Sequence, residues 1–170
     1  MGDRDTIFYE VEIPQASREL IELKTSVGYA PPFDVIRRRV IDDLNEGKMT
    51  IDATVVLSVA GIEETEAATG VGVVHALDLA LRKALLKYFP FLESVRVIET
   101  YTHASGESTE AEVMSVKKFS DGQVTWTTLA KSTNSVEAGW KSLADGYEWR
   151  IVQETLRRQR QVEKPSVSRR

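Results

Sequence analysis

The sequence predicts an α+β fold made of two βββα units, each a three-stranded antiparallel sheet carrying one helix, with the two units sharing a core. Three observations predict it. Runs rich in β-branched and aromatic residues are separated by compact turn signals, an amphipathic helical pattern follows every third run, and the whole order recurs about sixty residues later. A single such unit buries only one sheet face and is marginal alone, so the two are expected to pack together.

The first unit opens with Phe33 to Ile41 (FDVIRRRVI), and NEGK at 45–48 supplies a hairpin turn into residues 49–59, MTIDATVVLSV. Ala60-Gly61 turns into a third strand over Ile62 to Ala68. A helix then carries Val74, Leu77, Leu81, Ala84, Leu85 and Tyr88 on one side, with Asp78, Arg82, Lys83 and Lys87 assigned to the opposite, solvated side, and Pro90 closes it. The second unit repeats this as VRVIETYTH (95–103), EAEVMSVKKF (110–119), QVTWTTLAK (123–131) and a helix striped by Val136, Trp140, Leu143, Tyr147 and Ile151. Comparing the halves lays TIDATV at 50 over STEAEV at 108, an offset of 58, and VHALDLAL at 74 over VEAGWKSL at 136, an offset of 62. This places a four-residue insertion between the second and third strands. Residues 1–31 are read as an arm and linker containing a short helix at QASRELIELK, residues 32–152 as the duplicated domain (units 32–90 and 94–152), and residues 153–170 as a basic, disordered tail.

The two helix starts differ chemically. Asn134, with Glu137 three residues on, forms the pattern of a capping box. At the matching place in the first helix stand Gly72 and His75, preceded by the turn Gly70-Val71-Gly72, so the opening amides have no evident side-chain partner. Free N–H groups at the positive end of a helix favour an anion, and the neighbours Val71, Val73 and Val74 suit a small apolar body attached to it. The alternative is that water satisfies these amides and the glycines only make the turn. The stretch is not a phosphate loop or a dinucleotide fingerprint, because the Lys-Ser/Thr pair and the third glycine are missing.

Composition narrows the chemistry further. With no cysteine, disulfides, thiolate metal sites and thiol catalysis are excluded, and two histidines, His75 and His103, cannot build a multi-histidine metal centre. Residues 150–170 carry a net +5 and the rest −9, an acidic body that argues against nucleic acid as the main ligand. No apolar run is long enough to span a bilayer and the N-terminus lacks a signal-like core, so a cytoplasmic protein is expected. His103 beside Tyr101 and Glu99 is read as a hydrogen-bonded strand histidine. Arg37 to Arg39 alternate across a strand, and no nucleophile, base and orienter can be assembled. No catalytic residue, metal site or cofactor is therefore expected in the chain.

Over Pro32 to Ile151 the sequence resembles the C-terminal regulatory (allosteric dimerisation) domain of 2-isopropylmalate synthase and citramalate synthase. EAATGVGVVHALDLALRKAL is similar to the family's Ala-x-Gly-Asn/Asp-Gly-Pro-x-x-Ala-Leu motif, VRVIETYTHA to its following strand, and WTTLAKSTNSVEAGWKSLADGYEW to its Trp-Gly-Thr, Ser-x-Asn and Glu-Ala-Ser-Trp run. The resemblance implies a homodimerising domain that binds leucine or isoleucine as feedback effector in branched-chain amino acid biosynthesis. Carried over by position, the effector residues are Gly70, Val71, Gly72, Val74, Val97, Thr100 and Ala104. Val71 stands where the family has Asn or Asp, and Val73 where it has Pro, which removes a polar contact to the effector's ammonium group. The parent enzymes are acyltransferases with a metal-binding TIM barrel ahead of this domain. Thirty upstream residues cannot hold one, so a barrel on the same parent chain or another chain is the expected partner.

Overall fold

The computed structural model describes residues 12–105 and 111–163. Helix α1 (Gln15–Thr25) precedes strands β1 (Asp34–Asn45), β2 (Lys48–Val59) and β3 (Ile62–Gly70), helix α2 (Val73–Leu86) and a 3-10 turn at Pro90–Ser94. Strands β4 (Arg96–Ser105), β5 (Glu112–Ser120) and β6 (Thr125–Ser132) then lead into helix α3 (Ser135–Val162). The strands form two antiparallel sheets, β1-β2-β3 and β4-β5-β6, so the α+β duplication is as the pattern predicts. In the first sheet both hairpins turn on two residues with positive φ, Glu46-Gly47 and Ala60-Gly61, a geometry whose twist matches the flanking strands.

On β2 the alternate residues Ile51, Ala53, Val55, Leu57 and Val59 are buried, and α2 lays Ala76, Leu77, Ala80, Leu81, Ala84 and Leu85 upon them. The three alanines bring the helix close to the sheet. Val74 and Tyr88, expected in this stripe, are only half-buried. In the second unit Phe119 stacks on Trp126 and meets the edge of Tyr147, and one core cluster joins these residues to those of the first unit. Gly146 lets α3 approach so closely that a Cβ there would sit 2.1 Å from the Phe119 ring.

The register corrects the expected alignment of the halves. The irregularity between Val35 and Arg37 recurs between Val97 and Glu99, the pair Arg38–Val55 recurs as Thr100–Lys117, and Ile51–Gly70 recurs as Val113–Ser132. One offset of 62 relates every strand and helix. TIDATV therefore lies over EVMSVK rather than STEAEV, and there is no insertion between the second and third strands of either unit. A slip of four residues keeps every side chain on its own face, so alternation alone cannot detect it.

Two boundaries also move. Residues 15–25 are no loose linker: Leu20 is buried, Ser17 Oγ accepts the Leu129 N–H on the edge of β6 at 2.8 Å, and Trp149 donates to Glu19 at 2.6 Å. Helix α3 does not stop at 152 but runs on to Val162. Its apolar stripe stops at Ile151, but Glu154 pairs with Arg150, Arg157 and Arg158 one turn away on either side, and these polar contacts extend the helix. Residues 1–11 and 164–170, the remainder of the expected arm and tail, lie outside the described residues. Among the described residues no helix is long and apolar enough to cross a membrane.

Candidate functional site

Gly70 ends β3 where the chain folds back onto its own helix. A Cβ at this position would lie 2.5 Å from the Ala76 amide nitrogen, so only glycine permits the turn. Gly72 is the residue before the helix, extended at φ −162°, and open space surrounds its Cα. No side chain caps α2; its first internal bond runs from the Ala76 N–H to the Gly72 carbonyl at 2.9 Å, so the Val73, Val74 and His75 amides precede the helical ladder. Val71 is the exception among the expected free donors. Its N–H donates to His75 Nδ1 at 3.2 Å, and the ring thereby closes the turn on itself.

At the matching position of α3 the chain supplies its own cap. Asn134 Oδ1 accepts the Glu137 N–H at 3.0 Å. The reciprocal half of the expected capping box is absent, because Asn134 N–H donates to Ser132 Oγ and the Glu137 carboxylate is drawn away by Arg38.

That Arg38–Glu137 pair exposes a second asymmetry. Arg38 lies on the helix-facing side of β1, bonded to Glu137 and 5.5 Å above the Trp140 ring, and together these three side chains plug the cleft between β1 and the start of α3. The offset of 62 places Thr100, His75 and Asp78 at the corresponding positions of the cleft between β4 and the start of α2. There the plug is missing. Thr100, Thr102 and Ala104 share the helix-facing side of β4 and are exposed, while Val97 is half-buried against the core. The two elements are tied at the far end, where the guanidinia of Arg82 on α2 and Arg96 on β4 both donate to the Glu93 carbonyl.

The seven residues named from the sequence lie on two elements: Gly70, Val71, Gly72 and Val74 around the start of α2, and Val97, Thr100 and Ala104 along β4. Val74 has a structural task as well, since a Cβ on Gly139 would lie 3.0 Å from its Cγ2, and it holds the start of α2 against α3. Tyr101 stacks beside His103 on the opposite face of β4, away from the cleft.

Two charged residues at the base of this cleft were not anticipated. Asp78, assigned above to a solvated face, is half-buried and accepts the Tyr147 hydroxyl at 2.6 Å. Burial pushes its carboxyl above the usual range, against the pull of Tyr147, Arg82, His75 and Arg96. Lys117 on β5, the register partner of Thr100, is fully buried, with Nζ donating to Ser115 Oγ at 3.3 Å. Burial pushes its ammonium down, and the Asp78 charge opposes that shift. Its place in the alternating series Val113, Ser115, Lys117, Phe119 was a readable signal, because the series points at the core.

Residues 13–150 match the LeuA allosteric (dimerisation) domain. The chain belongs to that family. Its relatives include the (R)-citramalate synthase of Aquifex aeolicus, 34% identical over a 151-residue alignment that covers 86% of this chain and 28% of the relative. The (R)-citramalate synthase of Geobacter sulfurreducens is 33% identical over 84% of the chain and 28% of its own length, and that of Sulfolobus acidocaldarius 33% identical over 87% and 27%. The chain spans little more than a quarter of the length of these relatives.

Proposed function

We propose that this LeuA-type domain is a homodimeric sensor of a branched-chain amino acid, leucine or isoleucine, acting on a TIM-barrel acyltransferase of the 2-isopropylmalate or citramalate synthase kind. The supporting observation is the contrast between two equivalent helix starts, one closed by Asn134 and by the Arg38–Glu137–Trp140 plug, the other uncapped above an open cleft. An α-carboxylate fits the amides of Val73 and Val74, and an aliphatic side chain fits against Val97 and the Val71–Val74 turn. Transmission to the barrel requires that the effector bind one arrangement of the dimer better than another, since a ligand shifts an equilibrium only by its differential affinity.

A second reading, a dimerisation domain without an effector, is favoured by Val71, whose exposed apolar side chain replaces the polar residue of the family motif. Thermal melts against a panel of amino acids separate the two. A ligand at 100 times its dissociation constant stabilises by about 2.7 kcal/mol, a rise of roughly 5–10 °C for a domain of this size. Such a rise, selective for leucine or isoleucine, is expected. An unchanged melting temperature with every branched-chain amino acid establishes the second reading instead.

A further inference from the structure

We infer that the outer face of the sheet β4-β5-β6 is the surface through which two copies of this chain pair. This rests on the homodimer in the reading above and assigns the face that forms it.

The duplication singles out this face. Outward on the second sheet, away from the helices, Tyr101, Val116 and Leu129 stand in one straight register row, with Met114 in the next row between His103 and Lys131. The offset of 62 places Arg39, Thr54 and Ala67 in the same row of the first sheet, and Asp52 at the position of Met114. One scaffold thus turns a polar row outward in the first unit and an apolar row in the second. Ile41 and Val56, on the outer face of the first sheet, stand in separate rows on either side of Arg39, Thr54 and Ala67.

The apolar row is open among the described residues. Tyr101 is 56% exposed, and Val116 and Leu129 are half-buried. At the edge of β6 a hollow of about 350 Å³ lined by Leu129 continues the surface to Ile21 of α1, itself 54% exposed. Contiguous apolar surface of this kind marks a contact with another protein.

Charge selects a second copy as the occupant. Glu99 pairs with Lys118 at 2.8 Å on one side of the row and Glu112 with Lys131 at 3.6 Å on the other, so these four cancel within the face. A two-fold axis along the row lays Tyr101, Val116 and Leu129 on their own counterparts. It sets Glu99 over His103 of the second copy, Lys118 over Met114 and Thr127 over Lys131. No like charges meet in these three rows, as a self-complementary contact requires, and the aliphatic stem of Lys118 covers Met114. An axis along β5 would instead set Lys118 against itself.

The test is sedimentation equilibrium of the whole 170-residue chain over a concentration series, with melting temperatures to confirm folding. Wild-type protein is expected to be a dimer. Val116→Glu puts two carboxylates together on the axis in an apolar contact and is expected to raise the dissociation constant at least about hundredfold. Thr54→Glu, at the equivalent position of the first sheet, should leave it within about twofold. Because Val116 lies on the axis, an equimolar mixture of Val116→Glu and Val116→Lys proteins is expected to recover the dimer. Dimerisation retained by Val116→Glu, or lost in Thr54→Glu, overturns the assignment of this face, and a mixture that stays monomeric contradicts the axis. A wild-type chain that is monomeric at every concentration overturns the homodimer itself, while the melts against amino acids judge the effector independently. Should Val116→Glu not fold, Tyr101→Glu and Tyr101→Lys, at an exposed side chain on the same axis, carry the test with the same expected outcomes.

Discussion

Gly72 and Asn134 occupy the same position in the two halves of the duplication, and the difference between them is a side chain that caps one helix and leaves the other open. Because nothing lies within 4 Å of a Cβ built on Gly72, and its φ of −162° suits any residue, Gly72→Val is expected to fold with little change in melting temperature. Its isopropyl group stands over the Val73 and Val74 amides, so the stabilisation by isoleucine or leucine should disappear. A full ligand-induced shift in this variant would place the effector elsewhere. The Gly72–Asn134 contrast was legible in the sequence because capping depends on neighbours within three residues. The Asp78–Tyr147 bond joins residues 69 apart, and nothing local distinguishes an aspartate that bonds a tyrosine of the other unit from one that faces water.

At the level of elements, α3 shows how a helix outlasts its apolar stripe. Glu154 is buried among Arg150, Arg157 and Arg158, and the bond from Arg157, assisted by Arg158, holds its carboxyl down to about 2. A depressed carboxyl stabilises the fold above the ordinary Glu value of about 4.3, and that contribution is lost as the pH falls through the window from there toward 2. Protection of the amides in residues 152–162, taken relative to their intrinsic exchange rates, is therefore expected to fall over this acid range ahead of protection in β2, and Glu154→Gln should show the lower protection already at neutral pH. Equal protection of the two segments across the range would contradict it. Hydrophobic spacing ends at Ile151, and a lattice of charges at i+3 and i+4 carries no such signal for the turns that follow. Strand identity was readable throughout, since β-branched runs and Gly-containing turns act over a few residues, whereas strand ends were misplaced by two to four residues where pairing continued into polar sequence.

For the molecule as a whole, the constant offset of 62 makes the asymmetry of the two clefts meaningful: position for position, the same scaffold is plugged at Arg38, Glu137 and Trp140 and open at Thr100, His75 and Asp78. The fold class and the shared core followed from repetition and hydrophobic pattern. The open cleft did not, because recognising it required the correct register, and a four-residue slip hides the correspondence between Arg38 and Thr100. The central claim is that the uncapped start of α2 receives the effector's carboxylate. Amide resonances followed by NMR during titration with isoleucine and leucine test it most directly. Shifts that saturate at Val73, Val74 and His75, with Asn134, Val136 and Glu137 unmoved, are predicted; saturable binding that leaves the three α2 amides unmoved would contradict the account.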